Sequence, residues 1–115
     1  MTEALVAQRW YRYEAKRNGF WDNDNDHFEF TGMRLVMFEY SVAKTTPKGV
    51  WLQESINHKR FVLRDARKRY ACPTKKEALE SFLARKQKHL RIERQRVQEI
   101  EESIALAQYK LETLK

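Results

Sequence analysis

Hydrophobic and polar residues alternate most regularly between Met33 and Lys44. Val36, Phe38, Tyr40 and Val42 fall on one side of an extended chain there, and Glu39 and Ser41 on the other. A period of two marks a half-buried strand. Thr45-Thr46-Pro47-Lys48-Gly49 follows with the Pro and Gly placement of a tight turn, and Val50-Trp51-Leu52 resumes the pattern, so the two segments are expected to pair antiparallel. Leu5 to Lys16, with Trp10-Tyr11-Arg12-Tyr13 at its centre, predicts an earlier strand that breaks at Asn18-Gly19. The polar run Asp22 to Asp26 reads as a loop, Phe28-Glu29-Phe30 as a short hairpin edge before Gly32, and Phe61-Val62-Leu63 as a last strand. The basic run Arg64 to Tyr70 is compatible with a turn of helix or with extended chain.

The period changes after Pro73. Thr74 with Glu77 three residues later matches a capping box, and no Gly or Pro occurs from there to the end of the chain. Counting heptads places Leu83, Leu90, Val97, Ile104 and Leu111 at a, and Leu79, Lys86, Glu93, Ile100, Ala107 and Leu114 at d. The seam is clean only from Val97 onward, while Leu79, Phe82 and Leu83 form a broader face suited to packing on a sheet. Forty helical residues span roughly 60 Å, about twice the diameter of a compact head of 73 residues, so the last heptads call for a cover. Self-association through Leu90, Val97, Ile100, Ile104, Ala107, Leu111 and Leu114 is the expectation. Arg94 with Glu101 fits an antiparallel pair and Arg96 with Glu101 a parallel one; a helix broken near Glu93 and folded back is the competing arrangement. The fold class expected is α+β: an antiparallel sheet head over residues 1–73, then one long helix over 74–115 that packs on the sheet at its start and extends as a coiled coil.

Charge changes this picture more than composition does. The net charge of +7 is carried entirely by residues 58–96, where fourteen Lys and Arg face four Asp and Glu; residues 1–57 hold seven against eight, and residues 97–115 two against four. Such a block raises the local concentration of anions. The cations expected to touch a nucleic acid or another anion are Arg60, Arg64, Arg67, Lys68, Arg69, Lys75, Lys76, Arg85, Lys88 and Arg91, the last group at helical steps of three. Trp10, Tyr11, Trp51 and Tyr70 are the aromatics available for stacking on a base. A solvated helix face is the alternative use of the same charge.

Other chemistry finds little support. An EF-hand loop starting at Asp22 would need Gly where His27 stands and Glu where Met33 stands, so a solvated acidic loop is expected. His27, His58 and His89 lie about thirty residues apart and show no metal-ligand spacing, so neither a metal nor a cofactor is expected. Cys72, Ser55 and Ser81 lack a nucleophile context, the three glycines are isolated, and no catalytic residue is assigned. The lone cysteine, with no leader pattern near Met1 and no spanning apolar run, suggests a soluble protein of a reducing cytoplasm.

The stretch Arg67 to Leu79, continuing through Ser81-Phe82-Leu83-Ala84-Arg85-Lys86, together with the Thr46-Pro47-Lys48-Gly49-Val50-Trp51 hairpin, resembles small uncharacterised proteins encoded by phages and prophages, over roughly residues 45–100. That resemblance brings no catalytic residues. It implies a phage accessory protein acting in a host bacterial cytoplasm, where such proteins often block defences by binding. The expected activity is stoichiometric inhibition of a nucleic-acid-dependent host effector, or capture of a nucleotide signal. A general nucleic-acid-binding dimer and a coiled-coil assembly protein are the alternatives.

Overall fold

The structure is a computed structural model and describes residues 8–114. Four strands, β1 (Arg9–Asp22), β2 (His27–Thr45), β3 (Gly49–Ser55) and β4 (His58–Leu63), form an antiparallel sheet in the order β1-β2-β3-β4, followed by one helix, α1 (Lys75–Thr113). The class is α+β. Two compact units divide the chain between Phe82 and Leu83.

Strand boundaries depart from the sequence expectation in an informative way. β1 does not stop at Asn18-Gly19, and β2 runs through Gly32 to absorb the Phe28-Glu29-Phe30 segment. Both glycines serve a register shift instead: Asn18 pairs with Gly32 and Gly19 with Phe30, leaving Thr31 as the extra residue of a bulge. Gly32 takes φ 143°, and a side chain at Gly19 would overlap the Glu29 carbonyl oxygen. The Leu5–Ala7 part of the predicted first strand lies outside the described residues.

β3 pairs only with residues 41–45 of β2. The remainder of β1 and β2, from Tyr13 to the Asn23–Asp26 turn and back to Met37, is therefore a two-stranded arm continuing from a four-stranded body. The body core is small. Trp10, Val50, Leu52, Val62 and Ala71 are buried together, with Tyr40, Val42 and Tyr70 packed against them. Cross-strand partners share a face, so the pairs Trp10–Tyr40, Val42–Leu52 and Val50–Val62 define the side that carries this core.

After β4 the chain crosses that face to the opposite edge, where Tyr11 and Cys72 exchange backbone hydrogen bonds of 2.7 and 2.8 Å. The basic run Arg64–Tyr70 is thus an irregular crossing segment. Pro73 ends it, and the Thr74 hydroxyl accepts the Glu77 N–H at 3.1 Å to start α1. The reciprocal half of the expected capping box is replaced, since the Glu77 carboxylate lies 3.8 Å from Arg69. Ala78 is the buried residue of the first helical turns and Phe82 is half-buried, whereas Leu79 and Leu83 are exposed. Of the Leu79, Phe82 and Leu83 face the sequence suggested, Phe82 is thus partly covered, and the buried position beside it is Ala78 rather than a leucine. In the second unit α1 continues without a break through Glu93, which excludes the folded-back arrangement.

Candidate functional site

Tyr70 is the hub of the crossing segment. Its hydroxyl is 3.2 Å from that of Tyr40, and the Arg12 and Arg60 guanidinium carbons lie 4.3 and 4.0 Å from its ring centroid. Arg12 also donates to the Tyr70 carbonyl at 2.7 Å. Strands β1, β2 and β4 thus each send one side chain to this residue. Arg60 completes the cluster with a forked contact to Glu54, at 2.9 and 3.3 Å, which holds the Glu54 carboxyl below its usual range and the guanidinium above its own. His58 sits 3.3 Å from the same carboxylate. Burial, aided by the Tyr70 hydroxyl, pushes the Tyr40 phenol well above the ordinary tyrosine value.

This geometry sorts the expected contact residues. Trp10, anticipated as an exposed stacking aromatic, is instead 2% exposed and forms the centre of the core. It cannot stack on a base without unfolding the body. Tyr70 carries two guanidinium groups and Tyr11 has the Lys75 ammonium 5.7 Å from its centroid, so both rings already hold cations. Trp51 is the stacking candidate that stays partly open, paired with Phe61 at 5.1 Å between centroids.

Among the cations, Arg60 is committed to Glu54 and Tyr70. Arg64 donates to the Thr46 carbonyl at 3.5 Å, and Arg69 to the Arg64 carbonyl at 3.4 Å. Arg60 and Arg64 hold the crossing segment to the body, and Arg69 ties the segment to itself. Arg67, Lys68, Lys75 and Lys76 are exposed in the same unit. In the second unit Lys88, Arg91 and Arg94 are exposed and Arg85 is half-buried, while Arg96 is drawn to Glu93 at 2.8 Å, where His89 also lies within 3.5 Å. Leu90, Val97, Ile100, Ile104, Ala107, Leu111 and Leu114 are all exposed in the chain by itself.

One surface escaped the sequence reading. On the arm, Tyr13, Ala15 and Trp21 of β1 share a face with Phe28, Phe30, Met33, Leu35 and Met37 of β2, and Arg17 lies over the rings of Phe28 and Phe30 at 4.9 and 5.4 Å. Trp21 is 54% exposed and Phe30 50%. The opposite face carries Glu14, Lys16, Asn18, Asp22, Glu29 and Arg34, with Phe20 and Val36 among them. The signal was present as alternation, but it changes phase at Thr31, so a uniform period of two places the phenylalanines on the wrong side.

The Asp22–Asp26 run is a turn closed on itself. Asp22 accepts from the backbone N–H groups of Asp24 and Asn25 and from the Asn25 amide, which lowers its pKa, and Asp26 supplies the left-handed residue with φ 52°. No set of three metal-ligating side chains comes together among the described residues, and no helix among them is long and apolar enough to cross a membrane. Comparison with family models, curated proteins and solved structures finds no match to this chain.

Proposed function

We propose that this protein works by occupancy and without turnover, as a dimeric phage-type accessory protein that holds the phosphate backbone of the nucleic acid serving a host effector in the bacterial cytoplasm. The observation that carries this reading is the division of labour among the cations. Arg60, Arg64 and Arg69 are engaged within the first unit, while Arg67, Lys68 and Lys76 in that unit, and Arg91 in the other, face water. Lys and Arg on phosphates give affinity without reading bases. With Trp10 in the core and Tyr70 under two guanidinium groups, Trp51 is the stacking aromatic that remains open, and selectivity comes mainly from charge and shape.

Fluorescence anisotropy of labelled single-stranded and duplex oligonucleotides over a salt series tests it. The expected result is log K falling linearly with log salt at about 0.9 per phosphate neutralised on duplex, or about 0.7 on a single strand. Arg67→Glu with Arg91→Glu should flatten the duplex slope by about two. Salt-independent binding, or none at tens of micromolar protein, refutes the reading.

The arm favours a second reading, an assembly protein that docks through an apolar face. It is distinguished by charge reversal at Arg67, Lys68 and Arg91 leaving function intact.

A further inference from the structure

The second unit, residues 83–114, is a lone stretch of helix whose apolar seam lies open to water. Isolated helices are marginal in water, and most helical stability in proteins comes from packing an amphipathic face. Leu90, Val97, Ile100, Ile104, Leu111 and Leu114 are 49 to 70% exposed. At on the order of 100 Å² apiece, the seams of two copies offer about 1,000 Å² to each other, enough for a specific interface.

Charge along the unit decides how a second copy lies. Residues 83–96 hold six Lys or Arg against Glu93 alone, and residues 97–114 hold four Glu against Lys110 alone. A parallel partner sets like on like: Lys86 meets Lys86 and Glu93 meets Glu93 at successive d positions inside the seam. An antiparallel partner sets the basic half of one helix along the acidic half of the other.

We infer that the cover of this seam is a second copy of the same helix, antiparallel, with its dyad between Gln98 and Glu99. This deepens the dimer of the proposed function and rests on it. In that register Val97 packs against Ile100 of the second copy, Leu90 against Ala107, and Leu83 against Leu114. Lys86 and Glu93 fall opposite Leu111 and Ile104, where their long stems cover apolar surface while their charged ends reach solvent. At the flanks Arg94 faces Glu101, twice by symmetry. The contact is isologous and closes at two copies.

Pulsed dipolar spectroscopy on the full chain, spin-labelled at Lys110→Cys or separately at Arg96→Cys on a Cys72→Ala background, tests this. Lys110 labels should lie about 35 Å apart, from eleven to twelve residues of helix on each side of the dyad, and Arg96 labels within about 20 Å. Lys110 labels closer than about 20 Å overturn the orientation. A monomer by light scattering at tens of micromolar, with no dipolar coupling at either site, overturns the pairing and the dimer of the proposed function together. The salt titration above reports the nucleic-acid reading separately. Arg94→Glu should weaken the dimer roughly tenfold, and Glu101→Arg in the same chain should restore it; no rescue counts against the register, because in the parallel pair these two positions do not face each other.

Discussion

Replacing Trp10 separates a core residue from a ligand-contacting one. Its side chain is 2% exposed, packs in one cluster with Val50, Leu52, Val62 and Ala71, and leaves its indole N–H buried without an acceptor. Trp10→Ala removes the largest side chain of that cluster, at a cost of about 3–5 kcal/mol. The first unit has about 75 described residues, so its total stability is roughly 4–11 kcal/mol. The alanine variant therefore loses between about a quarter and all of it. Trp10→Phe behaves differently. It gives up contact area but also removes an unpaired buried donor whose desolvation costs about 1–3 kcal/mol, and the two effects leave it within about 1 kcal/mol of the parent. Urea denaturation followed through the amide cross-peaks of Leu52 and Val62 measures both, since far-UV ellipticity is dominated by α1. A Trp10→Ala protein within about 1 kcal/mol of the parent that has lost nucleic-acid affinity would refute the reasoning and return Trp10 to the contact surface.

Gly49→Ala should cost more than about 2 kcal/mol in the same urea assay, because a Cβ would overlap the Val62 carbonyl oxygen and press on the Phe61 ring; a smaller loss would mean β3 and β4 part easily. Stability should form a plateau in pH. Asp22 and Glu54 have lowered pKa values, so their contributions are present above the unfolded carboxylate range near pH 4 and fade as pH falls below it. Tyr40 has a raised pKa, so its contribution is present below about pH 10 and is lost as pH rises beyond. Urea midpoints across pH check both limbs, and Tyr40→Phe should flatten the alkaline one. Deleting Thr31 should close the bulge and leave Phe30 paired with Gly19 and Phe28 with Trp21, on the same face as Met33 and Leu35, so binding of an apolar dye should be unchanged; a loss of dye fluorescence would mean the pairing of the arm slips.

The strands with uniform alternation and the capped helix start were legible, because each rests on local chemistry: Val36 to Val42 for β2, Thr46 to Gly49 for the turn, Thr74 for the cap. The arm was not. Gly19 and Gly32 read locally as chain breaks, and only their pairing across strands turns them into a bulge. The roles of the aromatics were equally hidden. Trp10 and Trp51 look alike in sequence, and the crossing segment that seals one face of the sheet, brought back by the Tyr11–Cys72 bridge, buries the first and leaves the second partly open. Among the cations, which are spent on the fold depends on where Arg60 and Arg69 find their partners: Glu54 across the β3–β4 turn, Glu77 in the first turn of α1, and Tyr70 once the crossing segment is in place. Charge excess is visible in a sequence; which charges remain available is a tertiary property.

β2 is one uninterrupted strand with two memberships, its first two-thirds in the arm and its last residues, around Val42, in the body core. A load or a ligand on the arm is therefore carried by the same backbone that seats the core. Amide exchange should be graded along this single strand, fast near Phe28 and slow at Val42. Anything that clamps the arm should slow exchange in the body as well, so the interior becomes a gauge of what its projecting end is holding.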